Sequence, residues 1–264
     1  MTMTTEISML PSVETAPRES ASGVRPFGPF VSILLVLAIM IMGIAIAFAV
    51  AFVATGLLHG GGWQSFLDAL DSPEEATGLA QLGERFSWLL AATWSFLLIP
   101  LIVALAAIRG GGGIRRLLAI NFSVPLKPML WALGFIVLVA LVEGRLAEMY
   151  PSIQQLFGLA QDPLALAISA VVIMVLAPIG EELVFRGFLY TAFRERWGYA
   201  PSLIVVSVLF SAMHFEPTMM YPLLVLPLAF ALGWLREKSG GVFAPILLHM
   251  IVNDWAFLST YLTR

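Results

Sequence analysis

The stretch "PIGEELVFRG", residues 178–187, places two glutamates and an arginine inside a long apolar segment. Glu182 and Arg186 are four positions apart, so in a helix they share a face and can form an ion pair. Glu181 lies about 100° further round such a helix, which predicts a carboxylate without that partner. An ionisable residue within a membrane span is costly, and it indicates a functional site by default.

Two histidines lie in later apolar segments and can meet this glutamate. A helical hairpin is predicted to turn near Gly198, with Glu181 17 residues before it and His214 16 residues after it. At a rise of about 1.5 Å per residue, both side chains come to nearly the same depth. His249 and Asn253, four positions apart, share one face of a third helix. The spacing therefore predicts that these four residues converge.

Such a set of side chains can hydrolyse an amide bond. A carboxylate beside an imidazole, away from bulk water, can act as a general base toward a water molecule. An imidazole and an amide that point into the same space can stabilise the oxyanion of the attacked carbonyl. Alternatively, Glu181, His214 and His249 could hold a zinc ion with one position open for water. The spacing alone leaves both mechanisms open.

Other sites are less well supported by the sequence. The chain has no cysteine, no H-E-x-x-H helix and no G-x-S-x-G, which excludes thiol chemistry and disfavours the common zinc and serine hydrolases. Asp254 is interpreted as a structural partner or a helix cap. A proton-relaying transporter is disfavoured because no inverted repeat is found.

The composition predicts the elements that must position these residues. The chain has 264 residues, 59% of them hydrophobic and only 12% charged, about half the charge of a soluble domain. The fold class is therefore all-α, a polytopic transmembrane helix bundle with about seven or eight spans. Seven apolar runs are long enough to be considered: 30–58, 87–108, 129–144, 163–195, 201–215, 220–236 and 241–259. The net charge of −3 argues against a nucleic-acid partner.

Three parts of the chain are distinguished. Residues 1–29 are predicted to be a disordered tail, 30–127 two transmembrane helices with loops, and 128–264 the catalytic transmembrane domain. The loop after the second run carries several cations and no acid, which places it in the cytoplasm. Those cations are Arg109, Arg115, Arg116 and Lys127. The expected location is a prokaryotic plasma membrane, with the N-terminus cytoplasmic.

Three short motifs resemble those of one known family. "EELVFR" (181–186) is similar to the E-E-x-x-x-R motif of the CPBP family, "FSAMH" (210–214) to its F-x-x-x-H, and "HMIVN" (249–253) to its H-x-x-x-N. The family contains type II CAAX prenyl endopeptidases and bacteriocin-processing or immunity proteins, also called Abi. The motifs occur in the family's order, and the resemblance covers roughly residues 128–259.

The resemblance implies a glutamate-dependent intramembrane endopeptidase acting on a membrane-associated substrate of CAAX or bacteriocin-like type. Glu181 would activate water with help from His214, and His249 with Asn253 would form the oxyanion site. The supporting or substrate-binding residues would be Glu182, Arg186 and Phe210. No cofactor is expected, with zinc in a metalloprotease as the alternative.

The partners implied are the lipid bilayer and a peptide or protein, which could itself be lipidated. The competing interpretation is a non-catalytic membrane immunity or regulatory protein that acts by binding. Bulky apolar residues beside the first motif, such as Phe185 and Phe188, are expected to face lipid.

Overall fold

The computed structural model describes residues 26–59, 62–71, 76–110, 113–149, 160–215 and 220–262, and within these ranges all regular structure is helical. The helices are α1 (Pro29–Leu58), α2 (Gly62–Asp71), α3 (Ala76–Gly110), α4 (Ile114–Leu117), α5 (Leu126–Met149), α6 (Pro163–Trp197), α7 (Tyr199–Ala212), α8 (Met220–Ser239) and α9 (Phe243–Leu262). The predicted all-α membrane bundle is confirmed.

Four helical stretches of the described chain are long and apolar enough to cross a membrane: Pro29–Leu58, Leu82–Arg109, Leu126–Arg145 and Pro163–Trp197. They coincide with the first four predicted runs. Helix α7 is a shorter apolar helix. Helices α8 and α9 have 20 residues each, but charged and amide side chains lower their hydropathy. The total of seven or eight spans and the orientation stay predictions.

Close packing of α1 on α3 depends on small residues. One stripe of α1 is buried and includes Ser32, Gly43, Ala47 and Ala51. A side-chain carbon added at Gly43 would lie only 2.2 Å from the ring of Trp94. Small residues let membrane helices approach closely and pack by van der Waals contact. This packing holds the indole of Trp94 against α1.

The first described residues, which precede α1, pack against the helix bundle. Residues 1–25 of the predicted tail lie outside the described residues. Near the end of that predicted tail, the ring of Phe27 lies 6.0 Å from the ring of Phe188. The guanidinium of Arg109 is 5.0 Å from the same Phe27 ring. The segment that leads into α1 is therefore held in place by contacts with α3 and α6.

Two segments of π-helix, Val172–Leu176 and Leu183–Leu189, interrupt α6. A π-turn widens the helix, and such turns are frequent at functional sites. In each segment a backbone carbonyl accepts a hydrogen bond from a side chain of another helix. Asn253 Nδ2 donates to the Ile173 carbonyl at 2.8 Å, and Arg236 Nε donates to the Arg186 carbonyl at 2.9 Å. Helices α8 and α9 are thus tied to the irregular parts of α6.

The second π-segment is in tight contact with the chain that follows α4. A side-chain carbon added at Gly187 would lie 2.8 Å from the backbone oxygen of Leu118. We expect Gly187→Ala to lower stability by about 1–2 kcal/mol, because overpacking against backbone outweighs the better helix propensity of alanine. Thermal unfolding in detergent micelles measures the change.

Gly134→Ala is the matched control, since Gly134 is also helical but has open space around it. This control is expected to be neutral or slightly stabilising. Equal melting temperatures for the two variants would contradict the contact at Gly187.

A polar clasp joins α3 to the beginning of α6. Glu84 Oε2 accepts hydrogen bonds from the backbone N–H groups of Gln161 and Asp162, at 2.9 and 2.8 Å. Arg85 Nη2 lies 2.7 Å from Asp162 Oδ2, and Asp162 Oδ1 caps α6 by accepting from the Ala165 N–H at 2.9 Å. The first turn of α6 is therefore held by α3.

This clasp predicts a pH dependence of stability. The hydrogen bond from Arg85 lowers the pKa of the Asp162 carboxyl, and the N–H of Ala165 contributes in the same direction. Since the pKa is lower in the folded state, the stabilisation is complete above the unfolded value of about 3.9 and is lost as pH falls through the folded value. We expect Asp162→Asn to melt at a lower temperature than wild type at pH 7, with the difference shrinking below about pH 4.

Asp68→Asn, on the exposed side of α2, is the control and should leave the pH dependence of melting unchanged. If Asp162→Asn follows the wild-type profile at every pH, the clasp does not contribute to stability.

Candidate active site

A fully buried ion pair lies at the centre of α6. Arg186 Nη1 is 2.9 Å from Glu182 Oε1, and neither side chain is exposed. Arg186 Nη2 donates to the Ala229 carbonyl at 3.0 Å, and the guanidinium carbon is 4.2 Å from the centroid of the Phe210 ring. The pairing predicted from the four-residue spacing is therefore present. Its hydrogen bonds and ring contact offset part of the desolvation of both charges, while Glu182 Oε2 and Arg186 Nε are buried without a hydrogen-bond partner among the described residues.

His249 lies between the two adjacent glutamates. Its Nδ1 is 3.0 Å from Glu182 Oε1, and its Nε2 is 4.0 Å from Glu181 Oε2. The His249 side chain is 4% exposed and that of Glu181 28%. An ionised carboxylate only accepts hydrogen bonds, so the geometry assigns the Nδ1 proton to the bond with Glu182. The Nε2 edge is left to face Glu181.

His214 lies just beyond the end of α7. The predicted run 201–215 is helical only to Ala212, and His214 occupies the turn that follows. Its Nδ1 is 2.9 Å from the Phe210 carbonyl, which can only accept, so Nδ1 carries the proton and Nε2 is the free acceptor of the neutral ring. The side chain thus satisfies a terminal carbonyl of α7, as basic side chains commonly do at helix C-termini.

Glu181 and His214 line one cavity of about 230 Å³, which agrees with their predicted equal depth. The remaining wall is formed by Met40, Trp94, Leu98, Val184, Phe185 and Met213. The volume is sufficient for several water molecules, each of which occupies about 30 Å³ in the liquid. Three wall residues come from α1 and α3. Sequence reasoning missed them, since apolar residues in apolar spans carry no distinguishing signal.

Asn253 lies one turn beyond His249 on α9, and the hydrogen bond of its Nδ2 to Ile173 directs at least one N–H away from the cavity.

Asp254 lies in the middle of α9, so the interpretation as a helix cap is wrong. Its buried Oδ1 has no hydrogen-bond partner among the described residues, which leaves the predicted structural partner unidentified.

A zinc site needs three side-chain ligands that converge on one point. In the ranges that the structure describes, no three His, Asp or Glu side chains are grouped so that they could hold a metal ion. Glu181, His214 and His249, the ligands expected for zinc, are not grouped in this way.

Comparison with known proteins finds one family model that matches the region of the site. Residues 163–255 match the protein-family model described as "Type II CAAX prenyl endopeptidase Rce1-like". An "Uncharacterized 24.3 kDa protein" of Escherichia coli is 38% identical over 84 residues, which cover 30% of this chain and 37% of that protein. The chain therefore matches little more than a third of that relative's length. No solved structure matches. The family match contains all three motifs and confirms the resemblance that they carry.

Proposed function

We propose that this chain, whose residues 163–255 match the type II CAAX prenyl endopeptidase model, is an intramembrane endopeptidase that hydrolyses a membrane-associated protein substrate with water activated by Glu181. One observation carries the proposal. Of the two adjacent glutamates, Glu182 is fully buried and bonded to Arg186 and His249, whereas Glu181 is partly exposed and lines a cavity with His214. The partly exposed carboxylate is the one that can exchange a proton with water.

The reaction proceeds by general-base and then general-acid catalysis. Glu181 takes a proton from a water molecule in the cavity while the water oxygen attacks the carbonyl carbon of the scissile bond. His214, with its Nε2 free to accept, orients that water. When the tetrahedral intermediate collapses, the carbon–nitrogen bond breaks and Glu181 returns its proton to the leaving amine. The carboxylate is then ready for another cycle.

His249 faces the oxyanion with its Nε2 edge. Its Nδ1 proton is held by Glu182, so its Nε2 edge donates a hydrogen bond only when that nitrogen is also protonated. Preorganised donors of this kind stabilise a developing oxyanion. Asn253, which the resemblance implies for the same role, has one amide N–H bonded to the Ile173 carbonyl and does not line the cavity.

The proposal is tested with purified protein in lipid vesicles that also contain a library of membrane-inserted peptides. Mass spectrometry of the products compares wild type with Glu181→Gln, each with and without a zinc chelator. Cleavage that resists the chelator and depends on Glu181 supports the proposed mechanism. Loss on chelation as well as on substitution would instead indicate a zinc enzyme. If wild type and Glu181→Gln give the same products or none, the catalytic proposal is wrong and a binding role is the better account.

A further inference from the structure

The position of His214 depends on contacts outside its own helix. Because α7 ends at Ala212, His214 is held by a hydrogen bond to Phe210 and by neighbouring rings rather than by a continuing helix. Its ring centroid is 4.9 Å from that of Phe210 in a tilted arrangement. On another side it is 5.6 Å from the ring of Tyr221, at an interplanar angle of 72°. The imidazole is thus in contact with two aromatic rings.

Tyr221 is itself fixed relative to α7. It is the second residue of α8, and the hydroxyl of the buried Ser211 donates to the carbonyl of the next residue, Pro222. This bond ties the last turn of α7 to the first turn of α8. The ring of Tyr221 and the imidazole of His214 therefore lie beside one tether between the two helices.

Tyr221 also lies within electrostatic range of two acidic side chains. Glu181 on α6 and Glu143 on α5 both interact electrostatically with its hydroxyl. The ring of the tyrosine is thus in contact with the imidazole of His214, and its hydroxyl is within electrostatic range of Glu181.

We propose that Tyr221 is a positioning residue, whose ring holds the imidazole of His214 in the orientation that lets it work with Glu181. Edge-to-face aromatic pairs have a preferred geometry, and a small misplacement of a catalytic group has a large effect on rate. The inference rests on the proposed peptidase function, and it concerns a residue outside the three motifs.

The kinetic test compares Tyr221→Leu, which removes the ring, with Tyr221→Phe, which keeps it. We expect Tyr221→Leu to lower kcat about tenfold with little change in KM, and Tyr221→Phe to stay within about twofold of wild type. Tyr199→Leu, at the far end of α7, is the control and should leave kcat unchanged. An unchanged kcat in Tyr221→Leu overturns the proposal, and so does a loss in Tyr221→Phe as large as that in Tyr221→Leu.

A second readout does not depend on cleavage. The chain has only three histidines, so the imidazole NMR signals of labelled protein can be assigned by single substitutions. The His214 signals should shift in Tyr221→Leu and return toward wild type in Tyr221→Phe, while those of His59 stay in place. If wild type cleaves no peptide but His214 responds in this way, the proposed function fails and the positioning contact stands. If His214 does not respond, the contact is absent whatever the activity.

Discussion

Glutamine at position 181 is expected to lower kcat by about 10²- to 10⁴-fold, the usual contribution of a general base, with a much smaller change in KM. Glutamine has nearly the shape of glutamate and can still accept a hydrogen bond, but it cannot take a proton from water. The 28% exposure of the Glu181 side chain indicates that little folding energy depends on its charge. The melting temperature should therefore remain close to that of wild type, and kinetics in vesicles together with thermal unfolding measures both quantities.

Glu195→Gln provides the matched control for charge removal on the same helix. Glu195 lies near the end of α6 and pairs with Arg116 at 3.0 Å, with both side chains about one third exposed. Exposed pairs contribute about 0–1 kcal/mol, so neither stability nor kcat should change much. A Glu181→Gln enzyme that keeps a third or more of the wild-type kcat would rule out Glu181 as the base. A loss of the same size in Glu195→Gln would point to a general effect of charge.

The helix geometry explains which parts of the site could be predicted from the sequence. The Glu182–Arg186 pair follows from a spacing of four residues on one helix, which fixes the two side chains on one face. The shared cavity of Glu181 and His214 follows from counting residues on either side of one turn. That turn is at Gly198, whose φ of +79° glycine adopts without strain. His214 lies beyond the end of α7, but an error of three residues in the end of the helix changes the depth of His214 only slightly.

Contacts between distant helices could not be predicted in this way. His249 was grouped with Asn253 because they share a helix face, yet its Nδ1 is bonded to Glu182, 67 residues away in sequence. Asn253 is bonded to a carbonyl in a π-helical segment, and no pattern in the sequence indicates such segments.

The sequence also does not indicate whether a large apolar side chain faces lipid or protein. Phe185 and Phe188 were expected to face lipid, but they are only 6% and 2% exposed. A helix that is apolar on all sides has no hydrophobic face from which burial can be inferred. In a membrane, an apolar side chain can face lipid or protein with little difference in hydrophobic free energy. Packing therefore decides, and packing is not visible in a single sequence.

Replacement of Arg186 by methionine is expected to destabilise the protein by about 3–5 kcal/mol, the usual result of leaving one charge of a buried pair without its partner. The substitution would leave the Glu182 carboxylate, which is fully buried, with His249 as its remaining described partner. It would also remove the hydrogen bond to Ala229 and the contact with the Phe210 ring. Thermal unfolding in micelles, with the yield of folded protein, measures the loss.

The double variant Glu182→Gln with Arg186→Met separates the cost of an unpaired charge from the loss of packing. If the unpaired carboxylate causes most of the destabilisation in Arg186→Met, the double variant should be more stable than Arg186→Met alone, because no buried charge of the pair remains. Arg194→Met is the control, since Arg194 pairs with Glu237 at an exposed position and should cost about 1 kcal/mol or less. A double variant no more stable than Arg186→Met would show that the guanidinium acts mainly through Ala229 and Phe210. In that case the Glu182–Arg186 pair would no longer explain why Glu181 is the glutamate left free for catalysis, and the bond from His249 to Glu182 would be the remaining difference between them.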